Sequence, residues 1–157
     1  MLRGAKKVIE LLNGDIFEQG FGKYRLSIVF GHFGMTGEWL RAYKRIRLKY
    51  PVLEFLDEPF CEEGRFIEYM RGYYSVFYDD HKNMKEFRAA LTTSFKFAQT
   101  KGINSILTDG MGAGESLGAA EKMVVSTVFE FMNKYGTSKC GLIDIHYGYT
   151  NNSKLRQ

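Results

Sequence analysis

A layered α/β domain with a mostly parallel sheet is the fold class this sequence predicts, on three observations. Short apolar runs alternate with stretches of helical period, glycine-rich turns separate them, and neither a repeat nor a low-complexity segment interrupts the order. The chain has 157 residues, 45% hydrophobic and 15% aromatic, including ten Tyr and thirteen Phe, so the expected core is built on large rings. A single domain of this length can bury roughly 70% of the surface exposed by its unfolded chain. Residues 1–148 read as that domain and residues 149–157 as a polar tail.

In chain order, "KKVIELL" reads as a strand, "GDIFEQGFGKY" as a loop and "RLSIVFG" as a second strand. "EWLRAYKRIRLKY" reads as a helix, because Trp39, Tyr43, Ile46 and Tyr50 recur at three- and four-residue steps; Pro51 marks its end. "PVLEFLDEPFCEEG" fits a short helix or a strand. "RFIEYMRGYYSVFYDD" reads as two strands interrupted near Arg71 and Gly72. From Asn83 a long helix is expected, with Asn83 as N-cap, Glu86 three residues on, an apolar stripe of Phe87, Leu91, Phe95 and Ala98, and Gly102 as its stop. "INSILTD" is a strand, "SLGAAEKMVVSTVFEFMNKYG" the last long helix and "CGLIDIHY" the closing strand.

Composition narrows the function classes. Cys61 and Cys140 are too few for a zinc cage and lack CxxC spacing, so reduced thiols, a cytoplasmic location, and neither metal nor cofactor are expected. No apolar run approaches the roughly 18 residues of a membrane span. "MLRGAKKVIELLNGD" lacks the long apolar stretch of a signal peptide. The formal charge of +4 is uneven: Arg41, Lys44, Arg45, Arg47 and Lys49 crowd one segment, either a solvated helix face or a patch for phosphate-bearing partners.

Two loops occupy the position where such folds bind ligands, after a strand and before a helix: "FGHFGMTGE" and "TDGMGAGESLGAA". Glycine-rich loops with a helix start behind them offer amides to phosphate oxygens. Neither is followed by GK[ST], and no GxGxxG opens the chain, so P-loop and dinucleotide fingerprints are excluded. A third feature is "NGDIF", where Asp15 either accepts from an exocyclic amine or forms a turn.

Taken in order, "LLNGDIF", "FGMTGEWLRAYKRIRLKYP", "PVLEFLDEPFCEEG" and "INSILTDGMGAGESLGAAEKMV" resemble the successive motifs of macro domains, the ADP-ribose-binding modules. The likeness runs from about Lys7 to Tyr147. It implies a three-layer α/β/α domain with a mixed, mostly parallel sheet, holding ADP-ribose or a derivative. By that resemblance Asp15 contacts the adenine, with Ile16 beside the base; Gly34, Met35, Thr36 and Gly37 lie by the distal ribose. Gly112, Ala113, Gly114 and Glu115, with Gly110 and Met111 leading into them, lie on the diphosphate. Gly118 lets the long helix pack closely on the sheet. Phe33, and after it Phe17, are the aromatics expected to stack on base or ribose, whereas Phe77 and Phe95 belong to the core.

Where many hydrolytic members carry an Asn after the second strand, this chain has Gly31 and His32, and no counterpart is found for the Lys that another class places near the helix start at Asn83. His32 is therefore the candidate acid/base, with Glu115 and Asp109 as acids that orient a water; the other reading of His32 is a structural histidine. His81 and His146 read as solvated and structural. Three functions follow: a hydrolase acting on ADP-ribose 1''-phosphate or on an ADP-ribosylated acceptor, a reader that holds ADP-ribose without turnover, or a basic protein associated with nucleic acid.

Overall fold

In the computed structural model, the residues described are 6–31, 37–53, 62–79, 83–110 and 117–143, with main chain alone for 117–121. Their elements run β1 (Val8–Leu12), α1 (Ile16–Gly20), β2 (Leu26–Phe30), α2 (Gly37–Lys49), β3 (Phe66–Met70), β4 (Tyr73–Tyr78), α3 (Met84–Lys101), β5 (Ser105–Asp109), α4 (Leu117–Tyr135) and β6 (Lys139–Ile143). The strands form one six-stranded sheet in the order β1-β6-β5-β2-β4-β3. Every neighbouring pair is parallel except β3 with β4, which form a hairpin turning at Arg71 and Gly72. The sheet is thus mixed and mostly parallel, as expected.

Period-two alternation sends the strand side chains into two cores. Leu26, Ile28, Val76, Ile106, Cys140 and Leu142 pack against α3 and α4 on one face. Val29, Phe77, Leu107 and Ile143 pack against α1 and α2 on the other. The three-layer α/β/α order follows. All five residues of β2 are buried, as a central strand covered on both faces requires.

The ends of α3 behave as local chemistry dictates. Asn83 Oδ1 accepts from Glu86 N at 2.9 Å, and Gly102 closes the helix in the left-handed region at φ 70°. One element departs from expectation: "IFEQG", read within a loop, is the one-turn helix α1, capped by Asp15. A single turn is too short to show helical periodicity, so the cap alone marks it. Pro51 follows α2 and opens a short turn through Leu53. Of the ambiguous segment after it, residues 54–61, with Cys61, lie outside the described residues, as do residues 144–157.

Leu107 is wedged on the α1 face between two glycines. A Cβ at Gly20 would collide with Leu107 Cδ2, and one at Gly141 would lie 2.6 Å from Leu107 Cδ1 and 2.7 Å from the Tyr24 ring. The Tyr24 ring is held in turn by its hydroxyl, which donates to Glu10 Oε1 at 2.8 Å. Because both neighbours of Gly141 are buried and fixed, Gly141→Ala should destabilise the domain by about 1–3 kcal/mol, read from the midpoint of urea unfolding.

Candidate functional site

The site is built from strand ends. Since β1, β6, β5, β2 and β4 are parallel, their carboxyl ends share one edge of the sheet. From β2 the chain leaves through α2 toward β3 and β4; from β5, its neighbour, it leaves through α4 toward β6 on the other side. The helices lie on opposite faces. Adjacent strands that send their chains apart in this way form a topological switch point, where α/β folds open a crevice.

Backbone pairing also stops early at this seam. Between β2 and β5 the register stops at Ile28 opposite Thr108. On the flanks it runs further, to Phe30 opposite Tyr78 and to Asp109 opposite Ile143. The Asp109 side chain spans the gap: its Oδ2 accepts from Phe30 N at 2.9 Å, and the residue is 2% exposed. Beyond Phe30, Gly31 donates its N–H to Tyr78 O at 3.0 Å and turns at φ 87°. Phe30 stacks on Tyr78 with ring centroids 5.5 Å apart, and the Tyr78 hydroxyl lies 2.9 Å from Ser94 Oγ. The rim of the crevice is therefore anchored to α3.

Asp15 follows β1 along the same edge. It is half-buried and caps α1, its Oδ1 accepting from Glu18 N at 2.9 Å. Burial pushes its carboxyl above the usual aspartate range, against the lowering effect of the Glu18 amide. The turn-forming reading of Asp15 holds, since its carboxyl caps α1. Ile16, next to it, is fully buried.

Phe17, expected as a stacking aromatic, is a core residue instead. It is 0% exposed, with ring centroids 5.6 Å from Phe21, 6.2 Å from Trp39 and 5.6 Å from Tyr43. The α1 turn aims it at α2, a consequence of the helix that the sequence reading placed in a loop. Phe77 and Phe95 are buried as expected. Gly37 begins α2 at φ 58° and is exposed, while Gly110 is buried directly after β5. His32, Phe33, Gly34, Met35 and Thr36, and Met111, Gly112, Ala113, Gly114 and Glu115, lie outside the described residues, as do His81 and His146. The first group lies in sequence between β2 and α2, and the second between β5 and α4.

Missed from sequence was the tie between Asp109 and Phe30, which has no local signature because its ends are 79 residues apart. Cys140 is buried, and burial pushes its thiol up to about 12, which keeps it protonated at neutral pH. Among the described residues no helix is long and apolar enough to cross a membrane.

Replacing Asp15 separates cap from charge. Asp15→Ala should cost about 1 kcal/mol through the lost cap, and Asp15→Asn far less. Because burial raises the folded-state pKa, the ionised carboxylate costs stability at neutral pH and the protonated form does not. The stability of wild type relative to Asp15→Asn should therefore rise as pH falls through that raised pKa, measured by urea unfolding across the acid range.

Known structures share this architecture. The macrodomain of Thermus aquaticus DarG superposes with a TM-score of 0.58 at 14% identity, covering 87% of this chain and 98% of that one. The Trypanosoma brucei macrodomain in complex with ADP-ribose gives 0.62 at 16% identity over 95% of this chain and 69% of that one. The same macrodomain in complex with ADP gives 0.67 at 15% identity, over 100% and 72%. No protein-family model matches the sequence, and no curated protein matches it. Strand order, parallel pairing, the helix layers and these superpositions together show that the chain has the macrodomain fold.

Proposed function

We propose that this chain binds ADP-ribose or a derivative in the crevice between the carboxyl ends of β2 and β5 and hydrolyses it. The observation that carries this reading is the parted pairing at the switch point, in a fold whose Trypanosoma brucei counterpart is solved with ADP-ribose bound. In this reading Asp15 accepts from the adenine amine, with Ile16 backing the base. Phe33 and Gly34 to Gly37 flank the distal ribose, and Gly110 to Glu115 offer main-chain N–H groups to the diphosphate.

His32 is the group that moves a proton at the distal ribose, since an imidazole titrates near neutral pH, and Glu115 orients the attacking water. The bond cut is either the ester of a 1''-phosphate or the link between the distal ribose and an acceptor. If His32 only supports the loop, the chain is a reader that retains its ligand.

Calorimetry separates these outcomes. ADP-ribose should bind, and Asp15→Ala should weaken it roughly tenfold through the lost charged acceptor. No heat and no thermal shift at high ligand concentration would remove the whole reading. The affinity should also fall on acidification, with a midpoint above the ordinary aspartate range, because protonated Asp15 no longer accepts freely. His32→Ala should abolish release of phosphate from ADP-ribose 1''-phosphate, or of ADP-ribose from a modified protein or DNA, while binding persists. Turnover that survives the substitution clears His32 of the chemistry.

A second reading rests on α2. Arg41, Lys44, Arg45, Leu48 and Lys49 lie exposed at helical spacing, with Leu48 at 78%. Arg41 meets Glu38 at 3.1 Å and Arg45 meets Glu18 at 2.7 Å, exposed pairs that a phosphate can displace at little cost. As a nucleic-acid surface, this face should bind a single-stranded oligonucleotide with steep salt dependence, lost in the Arg45→Glu/Arg47→Glu double variant and unaffected by Asp15→Ala. Binding that ignores both charge reversals refutes this reading.

A further inference from the structure

Asp109 was expected to orient a water, yet its carboxylate is engaged with the main chain. We propose that Asp109 is a positioning residue, which sets the width of the crevice by holding β2 against β5 beyond the point where their backbones pair. The inference rests on that crevice being the ADP-ribose site.

Three observations carry it. Backbone pairing between β2 and β5 ends at Ile28 and Thr108, so a continuing ladder does not supply Phe30 N with its acceptor from this side. The acceptor is instead a side-chain oxygen of Asp109, which is itself paired through its main chain with Ile143 of β6. A carboxylate at the end of a Cβ reaches further than a backbone carbonyl, so the strands can stay joined while their main chains part. Third, what Asp109 holds is the residue before Gly31, from which the His32-bearing segment departs, while Gly110 after Asp109 leads into the glycine-rich segment before α4. One side chain thus ties the last residue of β2 to the last residue of β5. The contact is buried, so water does not compete for either group.

The requirement is for an acceptor oxygen at that position, not for proton transfer. Asp109→Asn retains such an oxygen and Asp109→Ala removes it. By calorimetry, Asp109→Ala should raise the Kd for ADP-ribose roughly tenfold or more, and Asp109→Asn should stay near wild type. A core variant remote from the crevice, Val128→Ala, should lower the melting temperature while leaving that Kd unchanged, which separates misplacement from general loss of stability. Wild-type affinity in Asp109→Ala overturns the proposal. Equal damage from Asn and Ala overturns it too, because the charge rather than the bond would then matter.

Amide hydrogen exchange without ligand provides an independent readout. In Asp109→Ala the Phe30 amide should exchange faster relative to that of Ile28; an unchanged ratio overturns the clamp. A wild-type chain that ignores ADP-ribose while the Phe30 amide responds to Asp109→Ala sinks the ligand reading and leaves the clamp in place.

Discussion

The hydrogen bond from Phe30 N to Asp109 Oδ2 crosses the seam between β2 and β5, where pairing stops before either strand ends, and it ties those ends together. On either side of the seam the pairing runs to the last residue of β2 and of β5. Among the described parallel pairs, the early stop therefore falls at this seam alone. Buried main-chain donors need a partner, and supplying one from a side chain lets the opening coexist with a dry interior. The switch in chain direction falls at the same seam, with β2 followed by α2 and β5 by α4 on opposite faces.

The two cores give that seam its rigidity. Phe30 belongs to the α3 and α4 side, where it meets Tyr78 and Phe87. Leu107 belongs to the α1 and α2 side, locked by the absence of side chains at Gly20 and Gly141. Packed interiors resist small displacements. A strand end buried on both faces consequently holds its position more firmly than one with a solvated face.

Much of this architecture was legible in the sequence, for reasons that differ by element. The ends of α3 were readable because Asn83, Glu86 and Gly102 act within a few residues of themselves. The hairpin of β3 and β4 was readable from the break at Arg71 and Gly72. The short helix α1 was not, since one turn carries no period, and with it went the placement of Phe17, whose burial depends on α2 rather than on its neighbours. The resemblance of the motifs to macro domains foresaw the fold that the superpositions show. The role of Asp109 stayed hidden because its partner is set by sheet topology. Asp15 lay between: its cap is local and legible, whereas its burial is a tertiary property.

The separation of Phe30 and Asp109 has a consequence for assembly. Their bond closes a loop of chain that contains α2, β3, β4 and α3, and the entropy lost in closing it is recovered only when β5 has docked beside β2. A nascent chain, or a fragment ending before Ser105, therefore has no crevice floor at all. Anything that binds there recognises the completed sheet and not a folding intermediate, and by mass action it stabilises only that finished state.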